Sequence, residues 1–462
     1  MMVFLHFLIV LLTNCVCAAN FSEAYEALET KSYTRALFSA NILHCFYNSF
    51  TGVFDFELLW QSGNSIETLS MAFDAIGGYA YWEANLENTF NKTDEVVDNC
   101  YDDNQWWLLG WISAYEMTGN LDYLNRAANA FDYVLENAWT DHCGGGVMWC
   151  PQTNPQNEYK NAITNELFLT AAMYFHKYEN ILNKVPNYYL NWASREWDWF
   201  SHSGLINSDN LINDGLDPST CQSNMQTTWT YNQGVLLDGL ALLSQALKNS
   251  TILSIAEQIA LAAMTNLTSS PEGILEEPCE ATGCNHDQQI FKGVFVRHLG
   301  KMLPLMKDPI VIEKAKSFLA ANADAMLVKD SCSNGGYGLY WNGPASSLNS
   351  VAEHSAATDL LLAAARSGWT PATEKSDETE IGFGSCVDDI GNSMPQCYTV
   401  SVSEQTCREA SLKDFVAYEY SAECLTSTKC RVFSMAASQV YCIAISVRYV
   451  IQNTSVFFEK NK

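Results

Sequence analysis

The chain has 462 residues, enough for two or three average domains, and a formal net charge of -27 at pH 7. Such a charge repels polyphosphates and anionic membranes, so the composition excludes nucleic acids and lipid surfaces as expected partners. Aromatic residues make up 12% of the chain, and thirteen of them are Trp. Most of these Trp residues are expected in the core, but rings exposed in a cleft would suit a neutral partner such as a sugar.

The first nineteen residues are predicted to be a signal peptide. An apolar run from Phe4 to Leu12 precedes small residues that end at Ala19, the order typical of a cleaved secretory leader. The run is too short to span a bilayer. A basic first segment is missing, so a frayed apolar terminus is the alternative. Five Asn-x-Ser/Thr sequons agree with secretion, and they start at Asn20, Asn91, Asn249, Asn266 and Asn453.

Residues 20–370 are predicted to form one domain of helical hairpins. The predicted helices lie at about 22–49 and 65–86, in four pairs that start near Asp102, Lys160, Trp229 and Phe291, and at about 350–366. In the clearest pair, Trp106, Leu109 and Ile112 recur at helical spacing. Strand signals are scarce. Eleven or twelve helices predict an all-α fold, an (α/α)6 barrel of helical hairpins.

The composition changes after Pro371, and residues 371–462 are predicted to form a cysteine-rich C-terminal region. A charged segment is followed by closely spaced cysteines, namely Cys386, Cys397, Cys407, Cys424, Cys430 and Cys442. Such spacing predicts a small disulfide-stapled appendage. It is either a module that faintly resembles PAN/apple domains or a tail packed on the barrel. The last residues lack the apolar run of a glycolipid-anchor signal, so a freely secreted protein is expected.

The cysteines predict disulfide bonds rather than a metal site. Sixteen are present, and removal of the leader leaves fourteen, an even number suited to an oxidising compartment. Two local pairs, Cys143 with Cys150 and Cys279 with Cys284, are close enough to bond, although spacing alone does not fix the pairing. No zinc motif occurs, and no ligand spacing relates His142, His286, His298 and His354. No cofactor is expected.

Asp102 and Asp103 are the candidate catalytic residues. They stand where a helix is predicted to begin, so the alternative is an N-cap and a first-turn acid favoured by the helix dipole. Cleavage of a glycosidic bond needs one carboxylic acid to protonate the leaving oxygen and one carboxylate to attack or to activate water. Two crowded acids meet this need because their pKa values are pushed apart.

Polar and aromatic residues at the helix starts are candidates for contacts with a sugar. They are Asn104, Gln105, Trp106, Lys160, Asn165, Trp229, Tyr231 and Asn232. The alternative for each is a helix cap or a buried polar group that a loop satisfies, and for Lys160 and Lys292 it is an ion pair. The glycine run at 144–146 lacks the rest of a phosphate-binding motif. It is interpreted as a close approach of backbone to a sugar or as a tight turn.

Six sequence blocks resemble one enzyme family. They are YDDNQWWLLGWISAYEMTGN, GGGVMW, YKNAITNELFLTAA, WTYNQGVLLDGLALL, FKGVFVRHL and YGLYWNGP, in order from about 101 to 344. Together they resemble glycoside hydrolase family 76, the α-1,6-mannanase family that includes fungal wall proteins proposed to be transglycosidases. The resemblance implies an (α/α)6 barrel and a retaining mechanism. It also implies that Asp102 is the nucleophile and Asp103 the general acid/base, although the order within the pair stays open.

The expected function is that of a secreted retaining endo-α-1,6-mannanase acting on α-1,6-linked mannan or a mannosylated glycan. One alternative is a mannan or GPI-glycan transglycosidase in cell-wall remodelling, which would use the same two carboxylates. The other is a non-catalytic mannan-binding protein. The presence of both Asp102 and Asp103 counts against the latter, because loss of one acid is the simplest way to silence such a scaffold.

Overall fold

The computed structural model describes residues 31–54, 58–76, 79–96, 100–154, 157–269, 271–330, 336–345 and 350–371. These residues contain twelve α-helices and two short β-hairpins. The helices are α1 (Lys31–Cys45), α2 (Trp60–Ile76), α3 (Tyr79–Lys92), α4 (Tyr101–Thr118), α5 (Leu121–Ala138), α6 (Ala162–His176), α7 (Tyr188–His202), α8 (Leu236–Leu247), α9 (Ser250–Asn266), α10 (Phe291–Met302), α11 (Pro309–Lys329) and α12 (Val351–Arg366). The antiparallel strand pairs are β1 (Tyr47–Asn48) with β2 (Val53–Phe54), and β3 (Thr268–Ser269) with β4 (Ile274–Leu275).

The even-numbered helices form a closed inner ring. Each packs against the next even-numbered helix, and α12 closes the ring by contacting α2. The odd-numbered helices form an outer layer against this ring. Inner helices are accordingly buried on all sides, as in α6, whereas outer helices such as α5 bury one face. The predicted (α/α)6 barrel is therefore confirmed.

Buried charges help to close the ring. The guanidinium of Arg297 on α10 lies 3.1 Å from the carboxylate of Asp359 on α12 and 3.4 Å from that of Glu67 on α2. All three side chains are fully buried. Removal of one member of such a cluster leaves the other charges unpaired in a medium of low polarity. The removal is therefore costly even where the intact cluster adds little stability. The cluster thus disfavours any packing of the three helices that separates these side chains.

One helix prediction was wrong in its bounds. The single helix expected at about 65–86 is two helices, α2 ending at Ile76 and α3 beginning at Tyr79. The sequence between them is Gly77-Gly78, a helix-breaking signal that the apolar periodicity on both sides outweighed in the prediction. The helix expected at about 22–49 is described from Lys31 to Cys45.

The disulfides correct one predicted pairing and confirm the other. Cys143 bonds to Cys221 and Cys150 bonds to Cys100, so the local Cys143–Cys150 bond is absent. Cys279 bonds to Cys284 as predicted. The two longer links each join loops that are distant in sequence but adjacent at the barrel rim, which sequence spacing does not reveal.

Some predictions lie outside the described residues, among them the signal peptide, the sequons at Asn20 and Asn453, and the cysteines after Pro371. The remaining sequons, at Asn91, Asn249 and Asn266, are on exposed surface. Among the described helices, none combines the length and the apolar character that crossing a membrane requires.

Candidate active site

The paired aspartates lie in the first turn of α4, at the end of the barrel where the inner helices begin. Asp102 is buried and Asp103 is half-buried. The N-cap of α4 is Cys100, so neither aspartate is the N-cap. Asp102 Oδ1 accepts a hydrogen bond from the Asp103 backbone N–H at 3.0 Å, and Asp102 Oδ2 accepts one from the Trp149 indole N–H at 2.8 Å. Both carboxylate oxygens are therefore held.

Burial dominates the electrostatics of Asp102. It raises the pKa of this carboxyl to about 7, and the negative charge of nearby Asp287 acts in the same direction. The two accepted hydrogen bonds lower the pKa but do not outweigh the burial. Asp102 is consequently ionised in full only above about pH 7, and carboxyls with pKa values shifted this far are common at functional sites.

A row of aromatic rings crosses the starts of four inner helices. The Trp106 ring on α4 lies 5.4 Å from that of Trp60 on α2 and 6.4 Å from that of Tyr231, measured between centroids. Tyr231 in turn stacks on Phe291 of α10 at 3.8 Å, and Trp229 meets Phe291 edge-on. Trp106, Trp229 and Tyr231 were all predicted sugar contacts, and the structure brings them together beside the aspartate pair.

Two further carboxylates belong to this region and were not predicted. Asp287 lies just before α10 and accepts a hydrogen bond from the Trp60 indole at 3.0 Å. Asp214 accepts a hydrogen bond from the Tyr159 hydroxyl. Burial raises the pKa of both carboxyls. Asp287 could have been found, because it is a polar residue that precedes an inner helix, whereas Asp214 lies in an irregular loop after α7 that has no such signal.

Two predicted contacts, Lys160 and Asn165, hold the glycine loop instead of pointing to an open cleft. The Lys160 ammonium donates to Gly146 O and to the Thr140 hydroxyl, both at 2.7 Å. The Asn165 amide exchanges two hydrogen bonds with the backbone of Val147. Burial lowers the pKa of Lys160 to about 8. These bonds agree with the alternative role of buried polar groups satisfied by a loop, and the glycine run is a tight turn with positive φ throughout.

The other polar candidates are buried. Asn104 donates to Cys100 O at 2.8 Å within the first turn of α4, and Gln105 donates to Thr164 O of α6 at 3.0 Å. Asn232 is fully buried, and neither of its amide atoms has a hydrogen-bond partner among the described residues. Lys292 forms an ion pair, which was its alternative role, at 2.6 Å from Glu280.

One described group has the residue types of a metal site. Atoms of His142, Cys143 and Cys221 lie within 4.8 Å of one another. The two sulfurs are joined in a disulfide, and His142 Nε2 is 2.7 Å from Pro218 O. A metal prefers thiolates, which this disulfide does not provide.

A ring of helical hairpins with paired carboxylates and aromatic rings at one rim defines a class, the helical-barrel enzymes that act on carbohydrates. The comparison with protein families is more particular. Residues 62–373 match glycosyl hydrolase family 76, and the chain belongs to this family.

Curated relatives carry mannanase names. The mannan endo-1,6-alpha-mannosidase DCW1 of Candida albicans is 27% identical over 254 residues, 52% of this chain and 54% of that protein. DCW1 of Saccharomyces cerevisiae is 26% identical over 320 residues, 65% of this chain and 69% of that protein. The chain therefore matches about half to two thirds of the length of these relatives.

Solved structures share the fold. An inactive variant of the α-1,6-mannanase GH76A of Salegentibacter sp., with two adjacent aspartates replaced by alanine and α-1,6-mannotetrose bound, superposes with a TM-score of 0.62. The identity is 21%, over 72% of this chain and 98% of that one. Dfg5 from Chaetomium thermophilum in complex with glucosamine also gives a TM-score of 0.62, at 19% identity over 74% of this chain and 93% of that one.

Proposed function

We propose that this chain is a secreted, retaining endo-α-1,6-mannanase in which Asp102 is the nucleophile and Asp103 the general acid/base. The observation that carries the proposal is the buried, doubly hydrogen-bonded Asp102 next to the more accessible Asp103, in one helical turn beside a row of aromatic rings. Membership of the family and the mannanase names of the relatives supply the substrate class.

The proposed reaction has two steps. Asp102 attacks the anomeric carbon of an α-linked mannosyl unit while Asp103 gives its proton to the departing glycosidic oxygen, and a β-linked glycosyl-enzyme forms. Asp103, now ionised, takes a proton from water, and the resulting hydroxide attacks the same carbon and releases Asp102. Two inversions leave the product as the α-anomer.

The hydrogen bonds favour this order of roles, because they stabilise the ionised form of Asp102 against the burial that raises its pKa to about 7. Both oxygens of Asp102 accept hydrogen bonds, from the Asp103 backbone and from Trp149, and an ionised carboxylate is purely an acceptor. Asp103 is the more exposed of the two, which suits a group that exchanges protons with water and with the leaving oxygen. The mannanase of Salegentibacter is inactive when two adjacent aspartates are replaced, which supports a role for the pair here.

The predicted contacts other than Lys160 and Asn165 are part of the proposal as candidate sugar contacts. Trp229 and Tyr231 are partly exposed and offer ring faces against which a pyranose can lie. Trp106 is almost completely buried beside Tyr231. Secretion is supported by the exposed sequons at Asn91, Asn249 and Asn266 and by three disulfides among the described residues.

The stereochemistry of the product tests the mechanism. Linear α-1,6-mannan is digested with the purified protein, and the new reducing ends are followed by proton NMR before mutarotation. The α-anomer should appear first, since a glycosyl-enzyme intermediate imposes two inversions. Initial release of the β-anomer would show single displacement by water and overturn the assignment. New chains longer than the substrate would identify transfer to a sugar hydroxyl as the main second step.

Substitution of the two carboxyls separates their roles. Asp102→Asn should abolish turnover, whereas Asp103→Asn should still form the intermediate from a mannoside whose leaving group needs no proton, and azide should then release a glycosyl azide. Asp122→Asn is the matched control, because Asp122 occupies the first turn of the outer helix α5 on exposed surface. Near-normal activity in both catalytic variants would mean that Asp102 and Asp103 serve only as acids that stabilise the start of a helix.

A further inference from the structure

Asp102 receives a hydrogen bond from outside its own helix. The Trp149 indole Nε1 lies 2.8 Å from Asp102 Oδ2, while the Asp103 backbone N–H occupies the other oxygen. The bond from the Asp103 backbone comes from the next residue of the same helix. It cannot fix the orientation of the carboxylate relative to the residues that surround α4. The indole therefore determines which way the Asp102 side chain is oriented in the cleft.

Two bonds tie Trp149 and its neighbour Cys150 to the start of α4, and a third joins Trp149 to Tyr159. The disulfide Cys100–Cys150 joins the residue after Trp149 to the residue before α4. The Tyr101 backbone N–H donates to Trp149 O at 2.8 Å, and the Trp149 backbone N–H donates to Tyr159 O at 2.8 Å. The loop and the helix start consequently move as one unit, and the indole is fixed relative to the carboxylate.

Core packing does not account for this residue. Trp149 is 41% exposed, whereas Trp106 and Trp111 on α4 are almost completely buried. The Trp149 ring is partly open to solvent, and its N–H contacts a proposed catalytic group. Sugar stacking alone would require the ring and not the N–H, so the two explanations can be separated.

We propose that Trp149 is a positioning residue for Asp102, held in place by the disulfide that ties its loop to the start of α4. This inference rests on the proposed function, in which Asp102 attacks the sugar. The indole N–H fixes the orientation of the carboxylate and stabilises its ionised form, and the Cys100–Cys150 bond limits the freedom of the loop that carries the indole.

The sign of the expected pH effect follows from the groups around Asp102. Those that face it are Asp103 on its own helix, Asp287 before α10 and Tyr231 before α8. None of these is a cation, so the indole N–H is an important donor to the charged form. Its removal should raise the pKa of Asp102 further above about 7. The acidic limb of kcat/KM should then move to higher pH.

Trp149→Phe tests the proposal because it keeps a ring and removes the N–H. The value of kcat/KM on an α-1,6-mannooligosaccharide should fall about ten- to a hundred-fold, the loss expected for a hydrogen bond to a charged group. The loss should appear in kcat more than in KM, together with the upward shift of the acidic limb. Trp192→Phe, on the outer helix α7, is the matched control. A higher KM with unchanged kcat and pH profile would make Trp149 a sugar contact and overturn the proposal.

The disulfide is tested by a second pair of variants. Cys100→Ser/Cys150→Ser should reproduce the kcat loss and the shifted limb of Trp149→Phe, because the loop is then free to withdraw the indole. Cys279→Ser/Cys284→Ser removes a disulfide that spans only five residues elsewhere, and it should leave both quantities unchanged. Circular dichroism confirms that each variant is folded before its kinetics are compared.

A readout without substrate separates this inference from the proposed function. Carbon NMR of labelled aspartate carboxyls follows the titration of Asp102, whose signal is assigned by its absence in Asp102→Asn. A higher Asp102 pKa in folded Trp149→Phe supports the positioning role even if the unaltered protein leaves α-1,6-mannan intact, an outcome that would refute only the function. An unchanged Asp102 pKa would refute the positioning role whatever the activity.

Discussion

His354 is the residue in which burial and hydrogen bonding most clearly fix one protonation state. It is fully buried on α12, its Nε2 lies 2.9 Å from Ser39 O, and its Nδ1 accepts the Tyr337 backbone N–H at 3.2 Å. A carbonyl at Nε2 and an N–H at Nδ1 select the neutral Nε2-protonated tautomer. Burial accordingly lowers the pKa of His354 from 6.5 to about 4.

This histidine predicts a loss of stability in acid. Below pH 6.5 the unfolded chain binds a proton on His354 that the folded chain does not, so the free energy of unfolding falls as the pH drops toward about 4. At about 1.4 kcal/mol per pKa unit, the contribution is about 3 kcal/mol. Urea unfolding between pH 4 and 8 measures it as the difference between the unaltered protein and His354→Gln, whose curve should be flatter.

The comparison with His354→Gln is needed because other groups change the free energy of unfolding with pH in the opposite direction. Burial raises the pKa of Glu277 to about 8, so this carboxyl favours the folded state less as the pH rises. It is present in both proteins and cancels in the difference. His202→Gln, at an exposed position on α7, should keep the pH dependence of the unaltered protein. Parallel curves for the unaltered protein and His354→Gln would contradict the prediction.

Sequence reasoning located the candidate acids better than their partners. Asp102 and Asp103 were found because a helix start followed by Trp106 is visible in the sequence. The donor Trp149 was not assigned a role, because its place beside Asp102 depends on the Cys100–Cys150 link, and spacing does not determine pairing. Lys160 illustrates the opposite case, since a polar residue at a helix start can be used entirely by a neighbouring loop.

At the scale of the helix, the inner ring depends on glycines where neighbouring backbones meet. Gly293 on α10 faces Ala356 on α12, and a methyl group added to Gly293 would lie 2.3 Å from Ala356 Cα. The obstacle is backbone, which cannot rotate away as a side chain can. Similar close approaches to backbone occur at Gly63 and Gly110. Glycine is tolerated inside these helices because the close packing that it permits offsets its poor helix propensity.

Gly293→Ala should therefore destabilise the protein even though alanine is the better helix former. The propensity gain is about 0.5–1 kcal/mol, whereas overpacking a core typically costs about 1–3 kcal/mol. The free energy of unfolding should fall by about 1–2 kcal/mol in urea denaturation. Gln258→Ala, on the exposed face of α9, is the control and should change it little. Increased stability in Gly293→Ala would mean that α10 and α12 can separate without cost.

Helix prediction succeeded where a repeating apolar pattern was long, and it failed where two such patterns followed each other directly. The pairs starting near Asp102 and Phe291 matched α4 with α5 and α10 with α11, because each helix has its own repeating apolar positions. Near residue 77 the apolar pattern of α2 is followed by that of α3 with almost no polar sequence between them, so one helix was predicted in place of two. The ring closure by α12 on α2 is a contact between distant parts of the chain, and it was inferred from helix number and family resemblance.

At the scale of the molecule, the closed ring is complete before the cysteine-rich region begins. The ring ends with α12 at Arg366, and α12 contacts α1, α2, α10 and α11. The family match runs from residue 62 to 373, so all of it precedes the cysteines that start at Cys386. The predicted division at about residue 370 stays a prediction, since the residues after Pro371 lie outside the described part of the chain.

A chain that ends at Pro371 should keep its activity on short α-1,6-mannooligosaccharides. Every helix of the ring, both proposed catalytic carboxyls and the aromatic row lie before this point. The measurement compares kcat/KM and the melting temperature of the full and shortened proteins, and the two kcat/KM values should agree within error. A chain ending at Ser350 is the control. It lacks all of α12, so the ring is open, the apolar faces of α1 and α10 are exposed, and folding should fail. If the chain ending at Pro371 is folded but inactive, residues after 371 contribute to the cleft, and the catalytic domain must be extended to include them.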